Sequence, residues 1–348
     1  MPSPLNIALI GTGWFAREAH LRNLVGMAEL NVIAASSRSQ ESLAAAQAIA
    51  GSTMRTFTNW RDVLAIDAVD AVIIALTNDL HRDAALEAFA AGKHVFVEKP
   101  MGLTIDQCNE IIAASQAAGK LLQVGHELRF QRLYVEMKRL IDAGEIGELQ
   151  LMWCREFRGP MRAGWRSSEA QSGGVLLEKC VHHFDLCNWI LASPPLRVAA
   201  QGGRNVVLDN EGLDNAQVII EYEGGRRASL ELCLFAPFGG DCEIGVAGSN
   251  GRIDTANQAL TLLHHGYEPR QRSSRKIAEL DEETTFTDAS GRIDRGIRAE
   301  LVHFVDAVRN NRQPMNNGLS AKLACAVALA AQASIRRRQA VTIEEILG

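Results

Sequence analysis

The feature that most constrains this chain lies at its start, where the apolar run from Leu5 to Ile10 passes directly into Gly11-Thr12-Gly13-Trp14-Phe15-Ala16. A short apolar run bounded by glycine reads as a strand buried on both faces, and the residues from Trp14 to about Val25 read as the next helix. The turn has the spacing G-x-G-x-x-A. Gly11 permits the tight turn, Gly13 lets a pyrophosphate approach the backbone, and the small Ala16 lets helix and strand pack closely. With Trp14 and Phe15 in its first turn, the helix presents open N–H groups and a positive dipole end to phosphate.

The turn gains its meaning from the rest of the first third of the chain. Strands expected at 31–35, 71–76, 94–97 and 121–124 alternate with helices at 39–49, 79–91 and 104–118. Such alternation implies a parallel sheet covered by helices. A length of 348 residues exceeds one core of typical size, and 47% hydrophobic residues can fill two. The boundary is expected near 125, giving a dinucleotide-binding domain over 1–125 and a second domain over 126–348.

The balance of 36 basic and 41 acidic side chains, net −5, has no basic block and argues against nucleic acid as a partner. Seven scattered cysteines without a C-x-x-C pair suit neither a disulfide framework nor a zinc site, which fits a reducing cytoplasm. The N-terminal apolar stretch is too short for a signal peptide, and no window reaches the ~18 apolar residues of a membrane span.

At the end of the second strand, Ala34-Ala35-Ser36-Ser37-Arg38 lacks the carboxylate that usually bonds the adenosine ribose of NAD. The hydroxyls of Ser36 and Ser37 and the guanidinium of Arg38 are donors suited to a 2′-phosphate. The reading is NADP(H) preferred, with NAD(H) as the second nucleotide.

The segment Ala91-Gly92-Lys93-His94-Val95-Phe96-Val97-Glu98-Lys99-Pro100, together with the glycine turn, resembles the Gfo/Idh/MocA family of nicotinamide-dependent oxidoreductases, whose hallmark is E-K-P at this place. The resemblance extends through Arg129-Phe130, Gly144 to Gly147, Ser172 to Asp185, Ala247 to Gly251 and Ser334 to Ile343. It implies an α/β protein: a doubly wound parallel sheet, then an α+β domain with a large open, mostly antiparallel sheet through which the protein forms a homodimer or homotetramer. The residues agree, since 148–156, 197–207, 215–223, 227–235 and 242–247 read as strands, separated by turns at Glu223 to Gly225 and Phe238 to Gly240. Amphipathic segments at 296–310 and 319–338 read as closing helices.

Lys99 falls just beyond the carboxyl end of a parallel strand, where open α/β sheets bind ligands. The resemblance gives it the role of bonding the substrate oxygen near the nicotinamide, with Glu98 orienting or balancing its charge. The family segment G-G-x-x-x-D-x-x-x-H-x-x-D is matched by Gly173 to Asp185, which selects His182 as the catalytic histidine and puts Glu178 in place of the usual aspartate. On one continuous helix Glu178 and His182 would share a face, and an imidazole so held can accept an alcohol proton. The adjacent Lys179 is a second proton carrier to consider. Thr77, Asn78 and His81 match a family stretch that cradles the cofactor, although Asn78 stands where proline is usual. Arg129 comes after the sixth strand and is expected to face the cleft.

Arg155, Arg158, Arg162 and Arg166, with Trp165, form a basic and partly aromatic run that would suit an anionic sugar or, equally, a charged surface. No metal is expected, because Glu178, His182 and His183 include adjacent histidines and lack a third ligand at suitable spacing. The substrate-binding set is therefore Lys99, Arg129, Arg158, Trp165, Arg166 and His182. The activity implied is interconversion of a secondary alcohol and a ketone on a sugar, inositol or related cyclic polyol. The alternatives are a cofactor-recycling glycoside-cleaving enzyme and a non-catalytic nucleotide-sensing regulator.

Overall fold

The computed structural model describes residues 3–236, 241–255, 260–265, 272–278 and 296–348. The turn expected at Phe238 to Gly240 lies outside them. The chain forms two compact units, one running to Phe130 and completed by a later segment that ends at Lys322, the other beginning at Gln131 and completed from Leu323 to the C-terminus.

The first unit is built on β1 (Leu5–Ile10), β2 (Leu30–Ser36), β3 (Arg55–Phe57), β4 (Ala71–Ile74), β5 (His94–Glu98) and β6 (Leu122–Gly125), in the order β3-β2-β1-β4-β5-β6. All neighbours are parallel. The order reverses between β1 and β4, which opens the crevice at the carboxyl ends where such sheets take ligands. Ile7 to Ile10 and Ala71 to Ile74 are fully buried, as strands covered on both faces must be. The flanking helices begin where the sequence supplies acceptors: Ser39 accepts from the Ser42 N–H, and Thr104 from the Gln107 N–H. Among the elements not expected from sequence are the three-residue edge strand β3 and the helix Trp60–Leu64.

One expectation about the domains needs correction. The helix Ile297–Asn310, which the sequence places in the second domain, belongs to the first unit. Its apolar stripe of Leu301, Phe304 and Val305 enters the same core as Ile7, Leu9, Ile73 and Phe96. The Phe304 and Phe96 rings meet edge to face at 5.7 Å. Two buried polar contacts add to this seat: the Gln123 amide donates to the Glu300 carbonyl at 3.0 Å, and Asn316 donates to Glu300 Oε1 at 2.8 Å.

The second unit contains β7 (Leu149–Phe157), β8 (Pro195–Gly203), β9 (Asn215–Tyr222), β10 (Arg227–Cys233), β11 (Asp241–Gly248), β12 (Gly251–Asp254), β13 (Leu260–His265), β14 (Arg272–Ala278) and β15 (Val341–Thr342). They form one sheet in the order β14-β13-β12-β11-β7-β10-β9-β8-β15, antiparallel except where β10 runs parallel to β7. One face is buried in strict alternation. Val218, Ile220 and Tyr222 point inward, as do Ala228, Leu230 and Leu232, while Ile219 is 52% exposed on the other face. The helix Val181–Leu191 covers the inner face, and the Tyr222 hydroxyl donates to Asn188 Oδ1 at 2.9 Å.

The helix Gly318–Arg337 is long and apolar enough to cross a membrane by length and composition alone, although Lys322 and Gln332 interrupt its apolar run. It is a core helix, with Ala324, Cys325, Val327, Ala328 and Ala331 fully buried in the protein.

The two glycines of the first turn carry different loads. Gly11 has φ +97°, and a Cβ there would lie 2.4 Å from the Ala75 carbonyl oxygen, whereas a Cβ on Gly13 meets nothing within 4 Å. Thermal or denaturant unfolding should show Gly11→Ala destabilised by about 2 kcal/mol or more and Gly13→Ala within about 0.5 kcal/mol of wild type. Equal losses would contradict these assignments.

Candidate functional site

In the first unit the site is organised around Glu98. This carboxylate ends β5, is only 7% exposed, and accepts from two sides. Oε1 lies 2.7 Å from Nε2 of the fully buried His20, and Oε2 accepts from the Lys99 backbone N–H at 3.2 Å. Room for it exists because residue 125 on β6 is glycine: a Cβ there would lie 2.8 Å from Oε1. Burial alone would raise the Glu98 pKa, but the bond and charge of His20 and the nearby Lys99 outweigh it and hold the carboxyl below its ordinary value. Lys99 thus leaves the sheet from an anchored anionic base.

His20 was not anticipated. Residues Ala16–Leu21 form a π-helical turn straight after the glycine turn, which aims His20 at Glu98. Its ring is also held edge-on by Phe15 and Phe96, each at 5.4 Å. The sequence signal available was a histidine within an otherwise core-facing turn, and no periodicity argument predicts a π-turn.

The remaining residues expected at the nucleotide divide by exposure. Gly13 borders open space, Trp14 is 50% exposed, and the helix starting at Trp14 makes its first bond from Arg17 N–H to the Gly13 carbonyl. The N–H groups of that first turn therefore point outward, and the cradle fits a pyrophosphate. Arg17 donates to the Thr12 carbonyl at 2.6 Å and braces the loop from beneath. Ser36 is buried, Ser37 Oγ accepts from the Ser39 N–H at 3.3 Å, and Arg38 is exposed. Thr77 is half-buried and Asn78 buried.

His81 and Arg129 sit elsewhere than expected. His81 is fully buried, with Nδ1 2.8 Å from the Pro100 carbonyl oxygen and Nε2 3.3 Å from that of Leu76. Burial pushes its pKa down, so it is a neutral strut with one N–H, tying the loop after β4 to the turn after Lys99. Arg129 is 5% exposed and donates to the Met315 carbonyl at 3.0 Å, which makes it a brace for the returning segment.

In the second unit the expected helical face of Glu178 and His182 does not form as one helix. One helix, Val175–Glu178, stops, and another, Val181–Leu191, starts after the break at Lys179 and Cys180, so the four-residue spacing no longer fixes a shared face. Glu178 is 5% exposed, and its Oε1 accepts from Arg166 Nε at 3.1 Å. Arg166 in turn lies 4.4 Å over the Trp165 ring. His182 is half-buried on the first turn of the second helix.

The basic run is likewise engaged. Arg158 binds Glu156, and Arg155 reaches Glu231 and Glu243 at 3.4 Å each. Arg158 and Arg166 are each paired with a buried carboxylate, while their side chains remain 36% exposed. Glu156, absent from the sequence-derived set, is 1% exposed at an inward position of β7. Lys179 Nζ lies 3.0 Å from its Oε1, and His183 Nε2 3.5 Å from its Oε2. Burial raises the Glu156 pKa, but His183, Lys179 and Arg158 outweigh it and keep the group ionised. Burial lowers the His183 pKa, yet Cys242 and Glu156 beside Nε2 prevail and push it up to about 10. The signal for Glu156 was a carboxylate in the inward phase of an alternating strand.

Comparison with known proteins bears on this arrangement. Residues 5–126 match the GFO_IDH_MocA oxidoreductase family, NAD-binding Rossmann fold, and residues 138–343 match the C-terminal alpha/beta domain of that family. The chain is 28% identical to scyllo-inositol 2-dehydrogenase (NAD(+)) of Bacillus subtilis over 81% of its own length and 80% of the relative's. It is 30% identical to inositol 2-dehydrogenase 3 of Saccharopolyspora erythraea over 87% and 85%. An oxidoreductase domain protein from Kribbella flavida shares the fold with a TM-score of 0.88 at 22% identity, covering 98% of this chain and 100% of that one.

The Glu98 seat has a pH signature. Because its folded pKa is depressed, the pair's contribution is present above the ordinary carboxylate value of 4.5 and is lost as pH falls through the lower folded value. Glu98→Gln should cost about 3 kcal/mol at pH 7. The gap to wild type should close progressively below pH 4.5 in unfolding measurements, and a gap independent of pH would contradict the ionised assignment.

Proposed function

The chain belongs to the Gfo/Idh/MocA oxidoreductases, and from that premise we propose that it interconverts a secondary alcohol and a ketone on an inositol, sugar or related cyclic polyol with a nicotinamide nucleotide. The observation that carries the reading is Lys99, held on the buried His20–Glu98 base at the carboxyl edge of the sheet whose first turn is the glycine cradle. The Bacillus and Saccharopolyspora relatives are both named inositol dehydrogenases. They give no support to glycoside cleavage or nucleotide sensing.

The nucleotide supplies a hydride acceptor at nicotinamide C4. Gly11, Gly13 and the first turn of the adjoining helix bind its pyrophosphate through backbone N–H groups. Lys99 donates a hydrogen bond to the reacting oxygen and stabilises its negative charge as hydride leaves the carbon. His182 accepts the hydroxyl proton, and Glu178, fixed by Arg166, is a positioning group for this region. NAD is the nucleotide in the printed name of the Bacillus subtilis relative. For this chain we assign a preference for NADP(H) to Ser36, Ser37 and the exposed Arg38, since no carboxylate stands there to repel a 2′-phosphate.

Two further assignments rest on the second unit and the thiols. The outer face of the nine-stranded sheet exposes Leu151 at 47% and Ile219 at 52%, and self-association as a dimer or tetramer is assigned to it. The seven cysteines are all free, which suits a cytoplasmic location.

Lys99→Met should lower turnover roughly a thousandfold while nucleotide binding persists, and full activity in this variant would refute the role. Arg38→Ala should weaken NADPH about tenfold and leave NADH unchanged, measured by fluorescence titration. Equal losses for both nucleotides would remove the NADP(H) assignment.

A further inference from the structure

Three side chains of the second unit, none in the catalytic set above, converge on one point. Glu156 and Cys242 are paired directly across β7 and β11, so their side chains leave the same face of the sheet. The helix Val181–Leu191 lies over that face in step with it. One helical turn of ~6 Å separates His183 from Cys187, and two strand residues span ~6.6 Å between Glu156 and Cys154. Cys187 Sγ accordingly stands 3.8 Å from Cys154 Sγ, while His183 Nε2 stands 3.5 Å from Glu156 Oε2 and 3.6 Å from Cys242 Sγ.

The 3.5 Å separation is too long for an N–H···O hydrogen bond, and Glu156 Oε2, although buried, makes none among the described residues. The three ligand atoms lie within 4.8 Å of one another. Around an ion bonded at ~2.0–2.3 Å, tetrahedral ligand atoms stand ~3.3–3.8 Å apart. We propose that Glu156 Oε2, His183 Nε2 and Cys242 Sγ bind one divalent transition-metal ion of the zinc class, with a fourth position open to water. The carboxylate and thiolate neutralise the dication, and binding releases the thiol proton and any proton on Nε2 to solvent.

The surroundings give this set an outer layer. Glu156 turns its other oxygen to Lys179 and Arg158, which fixes the carboxylate plane. The same two cations oppose a dication, so a chelator should remove the ion. Sequence spacing could not reveal this site, because the ligands come from two strands and a helix.

The test is titration of the chelator-treated full-length protein with Co²⁺. The expected result is saturation at one equivalent, with tetrahedral visible bands and a near-ultraviolet thiolate charge-transfer band. Cys242→Ser should abolish the latter, and Zn²⁺ should displace the cobalt. In the unmutated protein, equimolar Zn²⁺ should slow alkylation of Cys242 at least tenfold and leave Cys233 unchanged, a readout that needs no variant to fold. Absence of the charge-transfer band, its survival in Cys242→Ser, or unprotected Cys242 would overturn the proposal. None of these readouts depends on turnover, so the dehydrogenase reading stands or falls separately.

Discussion

The first unit depends on one buried charge. Glu98 ends an interior parallel strand with little solvent to stabilise its carboxylate, so its ionised form relies on His20 on one oxygen and the Lys99 backbone on the other. That requirement reaches outward. Residue 125 has to be glycine to leave space, the helix after the glycine turn has to take a π-turn to deliver His20, and the turn after Lys99 is held by His81 through the Pro100 carbonyl. Lys99 gains a defined exit from the sheet, which a strand-end lysine on a solvated loop would lack. The nucleotide cradle and the lysine are consequences of the same sheet edge, two strands apart.

The second unit obeys a related rule with different residues. Its carboxylates Glu156 and Glu178 are buried at 1% and 5%, and each is held by an arginine from the run after β7. These guanidinium groups are therefore part of the interior electrostatics. Removing one would leave an uncompensated buried anion, which costs more than the pair itself gains. Glu156 also bridges to Lys179 beside the break between the two helices, so the path of the chain from Glu178 to His182 is set by charge as well as by packing.

Much of this was legible in the sequence where a local rule carries the information. The apolar run at Leu5, the glycine spacing and the alternation of short apolar runs with helices specify the parallel sheet, and inward-outward alternation at residues 215–223 specifies a one-sided strand. What stayed hidden depends on contacts far apart in the chain. His20 meets Glu98 across 78 positions, and Arg129 braces Met315 across 186. The return of the helix Ile297–Asn310 to the first core is likewise unreadable from its own amphipathic stripe, which any apolar surface would satisfy. The division between Val175–Glu178 and Val181–Leu191 was hidden for a local reason, a helix break at Lys179 and Cys180 that no glycine or proline announces.

The central claim is direct hydride transfer from a polyol carbon to the nucleotide. The most direct measurement incubates the protein and oxidised nucleotide with inositols deuterated at the ring C–H positions, and tracks the nicotinamide C4 by NMR. The account predicts deuterium at C4 in amounts equal to the ketone formed. Ketone without labelled nucleotide, or label lost to water while the nucleotide stays oxidised, would contradict it.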